Sequence, residues 1–182
     1  MTWAVWITGL PGSGKTVIAQ KVRRILEERG IVSGSVKVLE LDEIRRFIAP
    51  RPTYSDEERE IVYASLVYMA KLLVESGTPV IIDATANRRK YRERARETIP
   101  NFTEVYVKCS LDTCRGREGR RKAKYAPSGI YNKAMEKGAT VPGVNVPYEE
   151  PTKPEVVVNS ETMSVKACAE KVVEFIQKWY ER

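Results

Sequence analysis

Gly9-Leu10-Pro11-Gly12-Ser13-Gly14-Lys15-Thr16 is the stretch from which the rest of the chain is read. It fits G-x-x-x-x-G-K-[ST], and its flanks supply the setting in which that pattern has a mechanism. Ahead of it, Thr2-Trp3-Ala4-Val5-Trp6-Ile7-Thr8 is a short apolar, β-branched and aromatic run, as expected of a buried strand. Behind it, residues 17–26 repeat apolar side chains at helical spacing, and Gly30 follows as a C-cap residue type. Strand, glycine-rich turn and helix together predict a phosphate cradle. Gly9, Gly12 and Gly14 free the backbone to wrap an anion, and the positive end of the helix dipole faces it. Lys15 is expected to reach the β- and γ-phosphates, with the Thr16 hydroxyl placed for Mg²⁺. An ordinary Gly/Pro turn does not need all eight positions in register. The sequence therefore predicts ATP or a similar triphosphate bound along residues 9–16.

The chain has 182 residues, 42% of them hydrophobic and 30% charged, which suits one globular domain with a sizeable core. No apolar run is long enough to span a membrane and no signal-like segment precedes the first strand, so a cytoplasmic protein with no membrane partner is expected. Cys109, Cys114 and Cys168 are few and odd in number, against a disulfide framework. They read as small buried thiols. There is no histidine, so acid–base work falls to a carboxylate. The net charge of +7 suits an anionic partner: nucleotide, phosphate, sulfate or nucleic acid. A solvated Lys/Arg/Glu surface of the heat-adapted kind is the competing explanation.

Strand and helix patterns alternate along the chain. Further strands are expected at residues 36–41, 80–83, 103–108 and 155–159. Helices are expected at about 43–48, from the Ser55-x-x-Glu58 capping box to Gly77, at 88–98, from 111 to about 121, and at 164–179. The long helix is given an apolar face of Ile61, Val62, Ala64, Ser65, Val67, Tyr68, Leu72 and Leu73. The last helix turns Val165, Cys168, Ala169, Val172, Val173 and Ile176 inward. The pattern predicts an α/β fold: a single doubly wound, mainly parallel five-stranded sheet with helices on both faces. One domain covers residues 1–182, with a basic lid at about 115–147. Ligands belong at the carboxyl ends of the strands.

Three clusters fall on that rim. Asp42 and Arg45, spaced D-x-x-R, put a carboxylate and a guanidinium near the γ-phosphate. Asp42 would hold Mg²⁺ or deprotonate an acceptor hydroxyl, and Arg45 would clamp an anionic group on the acceptor. Alternatively Asp42 is an N-cap with an i,i+3 ion pair to Arg45. Arg59 is either an acceptor clamp or a solvated residue. Asp83 ends a hydrophobic strand and either binds Mg²⁺ through water or caps the turn at residues 84–87. The third cluster, Arg115-Gly116-Arg117-Glu118-Gly119-Arg120-Arg121-Lys122-Ala123-Lys124, is read as a lid whose arginines, Arg117 among them, meet phosphate. A nucleic-acid patch or a solvated basic helix are its other readings.

The chain resembles the adenylylsulfate kinase family of P-loop kinases over nearly its whole length. The likeness is carried by residues 9–16, Asp42-Glu43-Ile44-Arg45, Tyr54-Ser55-Asp56-Glu57-Glu58-Arg59, Gly129-Ile130-Tyr131-Asn132-Lys133-Ala134 and the tail at residues 142–158. The resemblance implies transfer of the ATP γ-phosphoryl to the 3′-hydroxyl of adenosine 5′-phosphosulfate in sulfate assimilation. It implies Asp42 as base or metal-side carboxylate, Arg45 and Arg59 on the phosphosulfate and ribose side, Tyr54 stacked on the acceptor adenine, and Lys133 in the lid. It also marks departures. Glu40-Leu41-Asp42 stands for the family's Asp-Gly-Asp, Val62 for an acceptor-pocket asparagine, and the family's lid aromatic, which sandwiches the acceptor adenine, falls near Val141, so that half of the stacking clamp is absent. Asp83-Ala84-Thr85-Ala86-Asn87-Arg88-Arg89 replaces Ser-Phe-Ile-Ser-Pro, and this tip is similar to polynucleotide-kinase-like and seryl-tRNA-kinase-like P-loop kinases.

The expected site is therefore Lys15 and Asp42 in catalysis; residues 9–16 and Arg117 on ATP; Arg45, Tyr54, Arg59 and Lys133 on the acceptor; and Thr16, Asp42 and Asp83 on Mg²⁺. The expected partner is a small nucleotide substrate. A nucleic-acid 5′ end, an aminoacyl-tRNA or a small alcohol is the alternative acceptor, and a nucleotide-binding regulatory module without phosphotransfer is a third reading. The oligomeric state is left open, a homodimer being one option.

Overall fold

The structure, a computed structural model, describes residues 2–120, 125 and 129–180. The basic residues Arg121, Lys122 and Lys124 of the expected lid lie outside the described residues. Among the described residues five parallel strands form one sheet in the order β2-β3-β1-β4-β5. They are β1 (Ala4–Thr8), β2 (Lys37–Glu40), β3 (Val80–Asp83), β4 (Phe102–Lys108) and β5 (Val156–Asn159). Every residue of β1 and β3 is buried, because these central strands are covered on both faces.

The alternation of side chains along β1 divides the core in two. Val5 and Ile7 face a layer built from α1 (Lys15–Glu28) and α7 (Val165–Tyr180), where Val22, Leu26, Val172 and Ile176 are fully buried or nearly so. Ala4 and Trp6 face α3 (Asp56–Glu75) and α4 (Arg89–Thr98), meeting Val62, Leu66, Ala70 and Tyr91. The expected doubly wound parallel sheet is the observed fold. Among the described residues no helix is long and apolar enough to cross a membrane.

Two helix faces differ from expectation. On α3 the buried positions are Val62, Tyr63, Leu66, Val67, Ala70 and Val74. Ile61, Tyr68 and Leu72, expected inside, are 60%, 58% and 47% exposed. The helix is apolar on nearly all sides, so periodicity alone could not choose the face, and the Tyr63 ring settles it by stacking on Tyr91 with centroids 4.1 Å apart. On α7, Val165 is exposed and borders a cavity instead of the core. α3 ends as expected: Gly77 adopts φ 91°, its amide bonds to the carbonyl of Val74, and that of Thr78 reaches Leu73. The three cysteines are free and buried, as expected.

The second strand is shorter than expected. β2 stops at Glu40, which caps α2 (Leu41–Ile48), so Asp42 sits inside the first helical turn. Asp42 as N-cap is thereby excluded. A carboxylate in the first turn is instead favoured by the helix dipole. Among the described residues the remaining helices are α5 (Leu111–Glu118) and the single turn α6 (Ile130–Lys133).

Candidate active site

The loop between β1 and α1 is shaped by contacts behind it as much as by the space in front. A Cβ on Gly9 would lie 2.7 Å from the carbonyl oxygen of Val107, and one on Gly12 would lie 2.5 Å from that of Cys114. These glycines are required by β4 and α5 packing against the back of the loop, a reason different from the anion wrapping expected of them. Gly14 has no such neighbour. It caps α1 with φ 96°, and a Cβ there would point into open space.

Lys15 is buried, and its Nζ donates back to the carbonyl of Leu10 at 3.0 Å, closing the loop on itself. The Ser13 hydroxyl is buried with no hydrogen-bond partner among the described residues. A buried orphan hydroxyl is costly unless a ligand or water meets it. Thr16, in the first turn of α1, donates to Oδ2 of Asp83 at 2.5 Å. Asp83 is thus turned toward the loop and not engaged as a cap of residues 84–87. That turn is held by others: Trp6 Nε1 donates to the carbonyl of Ala84 at 3.0 Å, and the amide of Ala86 donates to the Tyr63 hydroxyl at 2.9 Å. Burial pushes the Asp83 carboxyl up to about 6, against the pull of Lys15 and the Thr16 hydroxyl, with Asp42 and Glu40 adding to the rise.

Three carboxylates therefore share the rim. Glu40 pairs in register with Asp83 across β2 and β3, and accepts from Gln20 Nε2 at 2.8 Å. Sequence reasoning treated Glu40 only as a departure, although its place at the tip of β2 was a usable signal. No group of three or more Asp, Glu, Cys or His side chains among the described residues forms a self-sufficient metal cage. Mg²⁺ does not need one, since it binds through one or two carboxylates plus substrate phosphates. The open space at Gly14, the orphan hydroxyl of Ser13 and the Thr16–Asp83 pair fit a magnesium triphosphate.

A cavity of about 930 Å³ runs along this rim, near the upper end of small-molecule sites. One end passes the loop toward Met163, Cys168 and Arg117. Arg117 lines it, but its fork is already anchored, donating to Oγ of Ser160 at 3.0 Å and to its carbonyl at 2.7 Å. The other end is walled by Asp42, Arg45, Tyr54, Arg59 and Val141, and Lys133 of α6 also lines the cavity.

Arg45 does not pair with Asp42 as the i,i+3 alternative required. It meets Glu58 of α3 at 2.7 Å and lies over the Tyr54 ring, 5.0 Å from its centroid. Glu58 also bonds the amide and hydroxyl of Thr53, leaving only half of the expected capping box: Ser55 Oγ accepts from the Glu58 amide at 3.2 Å. Arg59 is 6% exposed, which removes the solvated reading. Its guanidinium donates to the Tyr54 carbonyl, to Asn87 Oδ1 and to Thr140. Val62, put in the acceptor pocket by the family likeness, is instead a fully buried core residue. Thr140 and Ser160 escaped sequence reasoning, and Asn87 entered it only as part of the turn after β3, since polar residues in loops carry no periodic signal.

A parallel α/β sheet with a triphosphate loop, a hydroxyl–carboxylate pair beside it and an adjoining cation-lined pocket defines a P-loop phosphotransferase. The family profile for Adenylylsulphate kinase matches residues 1–159. The chain is 37% identical to a probable adenylyl-sulfate kinase of Bacillus subtilis over 96% of its length and 84% of that protein. It is 36% identical to a probable adenylyl-sulfate kinase of Pyrococcus abyssi, covering 94% and 92% of the two chains. Its fold superimposes with a TM-score of 0.83 on an APS kinase of Mycobacterium tuberculosis in complex with AMPPNP and APS, at 29% identity and with 97% and 98% of the chains covered. The chain belongs to the adenylyl-sulfate kinase family, phosphotransferases with an alcohol acceptor.

Proposed function

We propose that this protein transfers the γ-phosphoryl of ATP to the 3′-hydroxyl of adenosine 5′-phosphosulfate, with Mg²⁺. The observation that carries the reading is continuity: one cavity joins the triphosphate loop to a pocket bearing Arg45 over Tyr54. The donor nucleotide's phosphates would lie on the amides of residues 12–16, with Lys15 swinging from the Leu10 carbonyl to neutralise charge as the phosphoryl group moves. Mg²⁺, held by the Thr16 hydroxyl with Asp42 and Asp83, would supply charge neutralisation on the phosphates. Asp42, in the first turn of α2, would take the proton of the attacking hydroxyl. Tyr54, with one face covered by Arg45, offers its other face to a purine, and Arg45 and Arg59 hold positive charge beside an acceptor anion. Residues 1–182 act as one kinase domain in this reading, with Lys133 and Arg117 on the covering segment at about 115–147.

The test is a labelled phosphate-transfer assay with ATP and Mg²⁺. Adenylyl sulfate, RNA and DNA 5′ ends and small alcohols are compared side by side. Formation of 3′-phosphoadenylyl sulfate is expected. Transfer to another acceptor with none to adenylyl sulfate overturns the assignment.

A further inference from the structure

Asn87, between β3 and α4, is 2% exposed and does not line the cavity. Both ends of its side chain are engaged. Oδ1 accepts from Nη1 of Arg59 at 3.0 Å, and Nδ2 donates to the carbonyl of Pro147 at 3.3 Å. Its own carbonyl accepts from the amide of Glu149 at 2.7 Å. A guanidinium only donates, so the amide has one allowed orientation, oxygen toward Arg59.

Arg59 carries the connection onward. Its Nε donates to the Tyr54 carbonyl at 3.0 Å, and Nη2 donates to the carbonyl and hydroxyl of Thr140 at 2.7 and 3.1 Å. Tyr54 and Thr140 are both cavity wall. Tyr54 also sits at φ 56°, a conformation a bulky residue keeps only where its surroundings hold it. We propose that Asn87 is a positioning residue for the acceptor end of the cavity. By holding Arg59 from behind, it sets the spacing between Tyr54 and Thr140 and leaves the triphosphate loop untouched.

The proposal rests on the preceding reading only for the choice of acceptor. If it is right, loss of Asn87 appears in the acceptor KM and not in that of ATP. Were Asn87 only an anchor for the tail at Pro147, losing its Nδ2 donor alone would do as much harm as losing both ends.

Two substitutions separate these cases. Asn87→Asp keeps an oxygen facing Arg59 but gives up the donor to Pro147, whereas Asn87→Leu gives up both. Asn87→Leu is expected to raise the acceptor KM about tenfold with the ATP KM within about twofold, and Asn87→Asp to stay within about threefold of the parent. Combining Asn87→Leu with Thr140→Val should raise the acceptor KM by less than the product of the single effects, because both act through Arg59. A parallel rise in both KM values, or an Asp variant as impaired as the Leu variant, overturns the proposal. Should Asn87→Leu not fold, Asn87→Ala is assayed to the same criteria. Amide hydrogen exchange on the nucleotide-free protein gives a readout independent of the acceptor. Asn87→Leu should speed exchange at residues 53–55 and 140–146 together, with residues 9–16 unchanged. Wild-type exchange in both segments overturns the positioning role, whereas a parent enzyme inactive on adenylyl sulfate that shows the expected exchange pattern loses only its acceptor assignment.

Discussion

The hydroxyl of Thr16 and the carboxylate of Asp83 meet at 2.5 Å, joining the first turn of α1 to the tip of β3 across 67 residues of sequence. In the proposed function this oxygen pair receives the cation carried by the phosphates. Asp83→Asn keeps an oxygen for Thr16 and removes the charge. The Mg²⁺ concentration giving half-maximal turnover should rise about tenfold, with metal-free ATP binding changed little. A Mg²⁺ titration of the rate checks it, and an unchanged midpoint removes Asp83 from the metal side.

Lys15 lies 8% exposed with its ammonium turned to the loop carbonyl at Leu10. In the proposed mechanism, replacing it by Ala takes away the charge that would neutralise the phosphates, while Lys15 belongs to neither of the two hydrophobic layers. Turnover should fall at least about a hundredfold, as for loss of other charge-stabilising groups. Circular dichroism should report an intact fold.

Asp42 stands in the first turn of α2 with its charge felt at Asp83, Tyr54 and Tyr63. Asp42→Asn should lower kcat by about 10²–10⁴ through loss of a general base, while the ATP KM stays near that of the parent. Normal turnover in this variant would rule out the proton-accepting role.

Glu155, beside β5, predicts an acid limit to stability. Burial would raise its pKa, but Arg96, bonded to both its oxygens at 2.6 and 2.9 Å, and the amide of Glu104 outweigh that and hold it below the usual range. The unfolded chain therefore takes up this proton first as pH falls. The stabilisation is complete above the unfolded value of about 4.3 and is lost as pH drops through the folded one. Urea midpoints measured from neutral pH downward should decline below that point, and Glu155→Gln should flatten the decline.

The loop at residues 9–16, the five strands and the burial of β1 and β3 on both faces were legible in the chain without coordinates. Turn chemistry and side-chain period act over about ten residues, and that is the range on which such patterns are written. What needed the folded molecule is the identity of partners. Arg45 chose Glu58, 13 residues away, over Asp42 one helical turn back, and Arg59 reached Thr140, 81 residues away. The choice of inner face on α3 was of the same kind, since Tyr63 and Leu66 won over Tyr68 and Leu72 because Tyr91 and the β1 side chains lay on that side. Packing settles such contests by excluding water from one pairing and leaving the other solvated, and a linear chain carries no record of which side that will be.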